Sequence, residues 1–181
     1  MNRTASHRAL KRLGAGITAA VTGLTLLLQI PTAAFAVDDT EGTTSGGFDY
    51  EIKDGIVTVT GYSGEDRDSI TKLAIPEKIS GTAVTRIENS AFDGMKTVKT
   101  VSIPDTVEFI GISAFSETAI SELKLPSAIK QIRAGFISGC ENLKEITIPK
   151  EMPIDALEYS RYQGGWGASF KNCYVEKFIL E

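Results

Sequence analysis

The stretch I-T-K-L-A-I-P at Ile70–Pro76 returns as V-K-T-V-S-I-P at Val98–Pro104, I-S-E-L-K-L-P at Ile120–Pro126 and L-K-E-I-T-I-P at Leu143–Pro149. A fifth copy, V-E-K-F-I-L-E at Val175–Glu181, carries Glu181 where the others carry proline. The shared pattern is apolar, x, x, apolar, x, apolar, Pro. Successive prolines lie 28, 22 and 23 residues apart, and the first residues of the last two copies lie 32 apart. A repeat of this size stacks as coils, because one unit alone cannot bury its apolar face. Each apolar-x-apolar segment reads as a short strand with alternate side chains inward. The proline ends it, having no N–H for a neighbouring strand. The expected fold is a β-rich solenoid of the α/β horseshoe class. Its right-handed coils would hold about 23 residues and one short parallel strand each.

A second half-motif follows each proline: P-x-x-V/I-x-x-I, then x-x-x-A-F. It is clearest as Pro104, Val107, Ile110 and Ala114-Phe115. Val84, Ile87 and Ala91-Phe92 match it after five extra residues that follow Ile79. Pro126, Ile129 and Ile132 match next, but Ile137 then holds the aromatic slot and Phe136 the alanine slot. These residues line the wall opposite the strand. Upstream, Phe48–Ile52 and Ile56–Tyr62 flank Lys53-Asp54-Gly55 and alternate as V-T-V-T, a hairpin signal. Residues 48–69 are therefore expected to cap the array, with repeats over 70–181. Val37–Gly47 is polar, acidic and glycine-rich and reads as a flexible leader.

The first 36 residues stand apart. Arg3, Arg8, Lys11 and Arg12 precede an apolar run from Leu13 to Ile30, and Ala34-Phe35-Ala36 supplies small residues at a cleavage site. That order is a secretory signal peptide, with cleavage expected after Ala36 and no membrane insertion afterwards. The remainder holds 15 basic and 23 acidic side chains, a net charge of −8. An acidic chain repels nucleic acid and anionic lipid. The single histidine, His7, leaves with the leader, and with it Ser-His-Asp catalysis and imidazole zinc sites. No catalytic, cofactor or metal residues are assigned.

The heptapeptides, P-x-x-V-x-x-I, the A-F pair, G-C-E-N-L at Gly139–Leu143 and V-T-V-T-G-Y together resemble the BspA-like leucine-rich repeats of bacterial surface proteins. The likeness runs over Phe48–Glu181. It implies a leucine-rich-repeat solenoid in a secreted or surface-attached protein, adhesion to host or partner macromolecules in some relatives, and no enzyme chemistry. Proline replaces the asparagine that follows the strand in ordinary leucine-rich repeats.

Two features stand out from the repeat. The last coil carries an insertion over 154–169 with Tyr159, Arg161, Tyr162 and Trp166, the side-chain types that dominate contact surfaces. Folding back over the coil end is the competing role. Cys140 and Cys173 each follow the aromatic slot by three residues, as does Met95. The Met95 precedent favours two buried thiols, and stacking leaves a disulfide as the minority alternative. The outward strand positions, Lys72, Thr100, Glu122, Glu145, Lys177 and then Ala74, Ser102, Lys124, Thr147, Ile179, read as a solvated face. Phe109, aligned with Arg86 and Gln131, is expected to be exposed. The functional expectation is an exported, non-enzymatic, adhesin-like module binding a protein or glycan on a host or neighbouring cell surface. The alternative is a structural spacer in a longer surface protein, of which this chain would be a fragment; an enzyme's accessory domain ranks below both.

Overall fold

The computed structural model describes residues 39–153 and 169–181. In chain order its strands are β1 (Thr40–Thr43), β2 (Phe48–Lys53), β3 (Ile56–Tyr62), β4 (Lys72–Ala74), β5 (Lys78–Ile79), β6 (Thr82–Ile87), β7 (Thr100–Ser102), β8 (Phe109–Ile110), β9 (Glu122–Lys124), β10 (Gln131–Ile132), β11 (Glu145–Ile148) and β12 (Lys177–Leu180). The heptapeptides form one parallel sheet in the order β4-β7-β9-β11-β12. Its register is Lys72, Thr100, Glu122, Glu145, Lys177, the outward column read from sequence. Leu73, Leu123 and Ile146 between them are buried.

Proline acts as its chemistry requires. Ile75 donates its N–H to the Ser102 carbonyl and Leu125 donates to Thr147, and the prolines then end the ladder. Where Glu181 replaces proline, its N–H reaches the Ile148 carbonyl at 3.1 Å. The missing proline thus restores the rung that the other copies lack.

One strand per coil is corrected to two. A second parallel ladder, β3-β6-β8-β10, runs along the opposite wall. Arg86-Ile87, Phe109-Ile110 and Gln131-Ile132 stack in register. The P-x-x-V-x-x-I segment must turn and run extended to bury both apolar residues. Its backbone groups then lie beside those of the next coil and pair with them. Ile87, Ile110 and Ile132 from this ladder face the heptapeptide strands and are fully buried.

A third ladder joins the turns that carry the A-F pair. Phe92 N–H bonds Ala114 O, Gly94 bonds Ser116 O, Phe115 bonds Phe136 O, Glu117 bonds Ser138 O and Gly139 bonds Lys171 O. Phe136 therefore stands where Ala114 stands, and Ile137 takes the aromatic slot. The first three of these turns adopt left-handed backbone twice, and the last does so at Asn172. Ser90, Ser113 and Gly135 hold the first site, and Gly94, Glu117, Gly139 and Asn172 the second. Phe92 and Phe115 stack between the walls, their centroids 5.4 Å apart and their planes at 20°.

At the N-terminal side β2 and β3 pair antiparallel around Asp54 and Gly55, both with positive φ as a tight hairpin turn demands. Phe48, Ile52, Val57, Val59 and Tyr62 enter the same core. Residues 40–43 depart from the flexible leader expected over 37–47. They form β1, antiparallel to β2 from Thr40↔Ile52 to Thr43↔Asp49. The exposed edge of β2 offers free backbone groups, and Gly42 lets the strand approach the Tyr50 ring, whose hydroxyl lies 3.2 Å from where a Cβ would stand. The residues inserted after Ile79 make a second small hairpin, β5 on β6, turned by Ser80 and Gly81.

Candidate functional site

Outward side chains of the heptapeptide sheet form inter-coil pairs. Lys177 Nζ lies 3.0 Å from Glu145, Lys144 Nζ 2.5 Å from Glu176, and Lys124 Nζ 2.5 Å from Glu181. These pairs are exposed, so each adds little stability and chiefly neutralises the face. Glu122 and Glu145 are register neighbours, and Lys177 on the far side of Glu145 offsets their repulsion. On the other wall, Phe109 is half-buried where exposure was expected. The Arg86 guanidinium sits 3.9 Å from its ring centroid, a cation–π contact that covers the face of the ring.

Tyr159, Arg161, Tyr162 and Trp166 lie outside the described residues. The described chain resumes at Ser169. Ser169 is buried, and its hydroxyl accepts the Gly135 N–H at 3.3 Å. Phe170 meets Phe136 edge-to-face at 6.0 Å. Tyr174, Phe178 and Leu180 follow, exposed at 63%, 51% and 76%. Among the described residues only Ile56 and Ile112 join them as exposed large apolar side chains. Three of the five exposed large apolar side chains among the described residues thus lie in the last coil. Tyr174 was not singled out from sequence; its position between two repeat slots gave no periodic signal.

The cysteine column is Met95, Thr118, Cys140, Cys173, one residue per coil. Thr118 escaped the sequence reading because a hydroxyl breaks the apolar pattern. Its Oγ1 donates to Phe115 O at 3.0 Å and lies 3.2 Å from Cys140 Sγ. Cys140 is fully buried, and its thiol also reaches Phe115 O at 3.2 Å. Cys173 is half-buried, with its thiol 3.1 Å from Ile137 O. Both are free thiols here. The neighbouring Cys173 thiol, helped by Thr118, pulls the Cys140 pKa down to about 7 against the effect of burial. The same partnership, with burial, pushes Cys173 up. One sulfur of the pair is thus poised to ionise while the other holds its proton.

Beside this column Lys96, Glu117, Thr118, Ala119, Gly139 and Glu141 line part of a shallow polar hollow of about 380 Å³. Among the described residues no group of three His, Cys, Asp or Glu side chains converges to hold a metal ion. None of their helices is long and apolar enough to cross a membrane.

The model of the BspA type leucine rich repeat region matches residues 56–163 in six copies. The chain belongs to this family. Its repeat region opens at Ile56, so β3 counts as repeat as well as hairpin. The BspA-type chain is similar to a leucine-rich repeat protein from Bacteroides capillosus, with a TM-score of 0.63 and 26% identity over 78% of this chain and 98% of that one. It is also similar to the leucine-rich repeat protein of T. pallidum, with a TM-score of 0.57 and 24% identity over 77% of this chain and 64% of that one. That second likeness bears on the fold alone. No curated protein matches the sequence. Leucine-rich-repeat proteins of this kind generally act as protein-interaction modules.

Proposed function

We propose that this BspA-type chain is an exported, non-enzymatic binding module of the cell surface, adhesin-like in action. Residues 1–36 would direct export and be removed after Ala36. The β2–β3 hairpin would cap coils of about 23 residues. The observation that carries the reading is the outward heptapeptide face: a regular strand array that pairs Lys124, Lys144 and Lys177 with carboxylates of other coils and, among the described residues, holds no enclosed cleft. Such a surface suits broad contact with a macromolecule, where shape and repetition supply affinity, and suits chemistry on a small substrate poorly. The acidic chain favours a protein or glycan partner over nucleic acid.

The insertion carrying Tyr159, Arg161, Tyr162 and Trp166 is the proposed anchor. The exposed Tyr174 beside its return supports this choice. Large aromatic and arginine side chains dominate binding energy where they occur. The test is attachment of the purified protein to cells and matrix proteins. Trp166→Ala with Tyr162→Ala is expected to weaken attachment at least about tenfold with an unchanged melting temperature. A fall in melting temperature with attachment intact would make the loop an end cover. Absence of any ligand across a broad glycan and matrix-protein screen would favour the spacer reading.

A further inference from the structure

We propose that Cys140 and Cys173 form a redox clamp, closing to a disulfide that staples the last coil to the one before it. Three observations converge. The two residues occupy one column of adjacent coils, with Thr118 and Met95 continuing it. Their turns are already tied one residue before Cys140 and two before Cys173, where Gly139 donates to Lys171 O at 2.7 Å. The two sulfurs make equivalent contacts one coil apart, Cys140 to Phe115 O at 3.2 Å and Cys173 to Ile137 O at 3.1 Å. Bond formation therefore needs little backbone movement. The ring it closes runs from 140 to 173 and contains the whole 154–168 segment.

Burial assigns the order of events. Cys173 is half-exposed and Cys140 is fully buried, so a small disulfide from solvent meets Cys173 first. Cys173, the sulfur solvent reaches, gives up its proton as it attacks one sulfur of oxidised glutathione; a mixed disulfide forms, and the expelled glutathione takes up that proton. The Cys140 thiolate then attacks the Cys173 sulfur, and the second glutathione thiolate leaves. The two thiol protons end on the two glutathiones; the protein loses two electrons and the oxidant gains them. Thr118 serves as a positioning residue, holding the Cys140 sulfur through its hydroxyl at 3.2 Å. An oxidising compartment, the destination that the leader implies, would preserve the bond.

The test is to incubate the full chain with oxidised glutathione and follow intact mass, with peptide mapping under non-reducing conditions. The wild type is expected to lose two hydrogens per chain and to yield one peptide pair linking Cys140 to Cys173. Protease cuts within 154–168 should then leave the fragments joined until a reductant is added. Cys140→Ser should stop at a stable glutathione adduct on Cys173. Cys173→Ser should take up glutathione at least about tenfold more slowly, because its remaining sulfur is buried. Two persistent free thiols in the wild type, a doubly glutathionylated chain, or disulfide-linked dimers would each overturn the clamp. Equal reaction of the two single variants would overturn the assigned order. The mass of the wild type is informative even where a variant fails to fold.

Discussion

Replacing Glu117 with glycine should make the protein more stable, although it removes a side chain and an ion pair. Glu117 sits at φ 54°, in a ladder whose other members are Gly94 (72°), Gly139 (76°) and Asn172 (59°). It is the one residue there that gains nothing from left-handed backbone. An L-residue with a full side chain loses about 1–2 kcal/mol in this region. Glycine recovers that and gives back about 0.5–1 kcal/mol through its looser unfolded chain. The pair with Lys96, at 3.8 Å and largely exposed, contributes at most a few tenths of a kcal/mol. The inter-coil bond from Glu117 N–H to Ser138 O at 2.9 Å is a backbone bond and survives. The balance is a gain of roughly 0.5 kcal/mol, or about 1–3 °C in melting temperature for a chain of this size. The converse variant, Gly94→Ala, isolates strain, since a Cβ there meets nothing within 4 Å. It should lose about 1 kcal/mol. Both are read by thermal melts followed by circular dichroism. A lower melting temperature for Glu117→Gly together with no change for Gly94→Ala would refute the strain argument.

Two further outcomes follow from the same geometry. Gly111→Ala should cost about 2–3 kcal/mol, because its Cβ would fall 2.5 Å from Asn89 N and 2.7 Å from Glu88 C, both backbone atoms of the preceding coil; a urea melt within error of wild type would contradict this. Asp105 accepts the Ser127 N–H at 2.9 Å, and that bond, with the Ser127 hydroxyl, holds its carboxyl below the ordinary value of 3.8. A depressed carboxyl stabilises the fold above its ordinary pKa and loses that contribution as pH falls through the folded value. Asp105→Ala should therefore lower the melting temperature at pH 7 and converge on wild type near pH 2; a constant gap across that range would dismiss the linkage.

The heptapeptide sheet was legible because its signal is redundant. Every copy states the same alternation and four of the five end on proline, so the register from Lys72 to Lys177 follows from alignment alone. The opposite ladder was not, because β8 and β10 have two residues each and carry no period to read. Its existence follows only when the backbone groups of Phe109 and Gln131 are asked where they bond. The turn ladder did leave a trace. Ser90, Ser113 and Gly135, then Gly94, Gly139 and Asn172, recur around the A-F pair at places where side chains resist the backbone. Glu117 hides that trace by breaking the series. Strand β1 was missed because glycine and threonine content suggests a linker, and only the open edge of β2 turns it into a strand. Of the candidate site, the cysteine column was visible as spacing, while Thr118 within it needed coordinates.

The three ladders run in one direction, coil to coil. Load applied along the stack would therefore reach one layer of bonds at a time, and the array would peel by rungs instead of breaking as a block. Thr100 and its register partner Glu122 are one coil apart. Folded, that coil advances the stack by about 4.8 Å. Pulled straight, its chain spans roughly 70–80 Å. Each coil released would lengthen the tether some fifteenfold over the height it gave up, and a closed Cys140–Cys173 bond would withhold the slack between those two residues. A molecule so built would be an extensible spring, with the proposed bond tying its last coil to the one before.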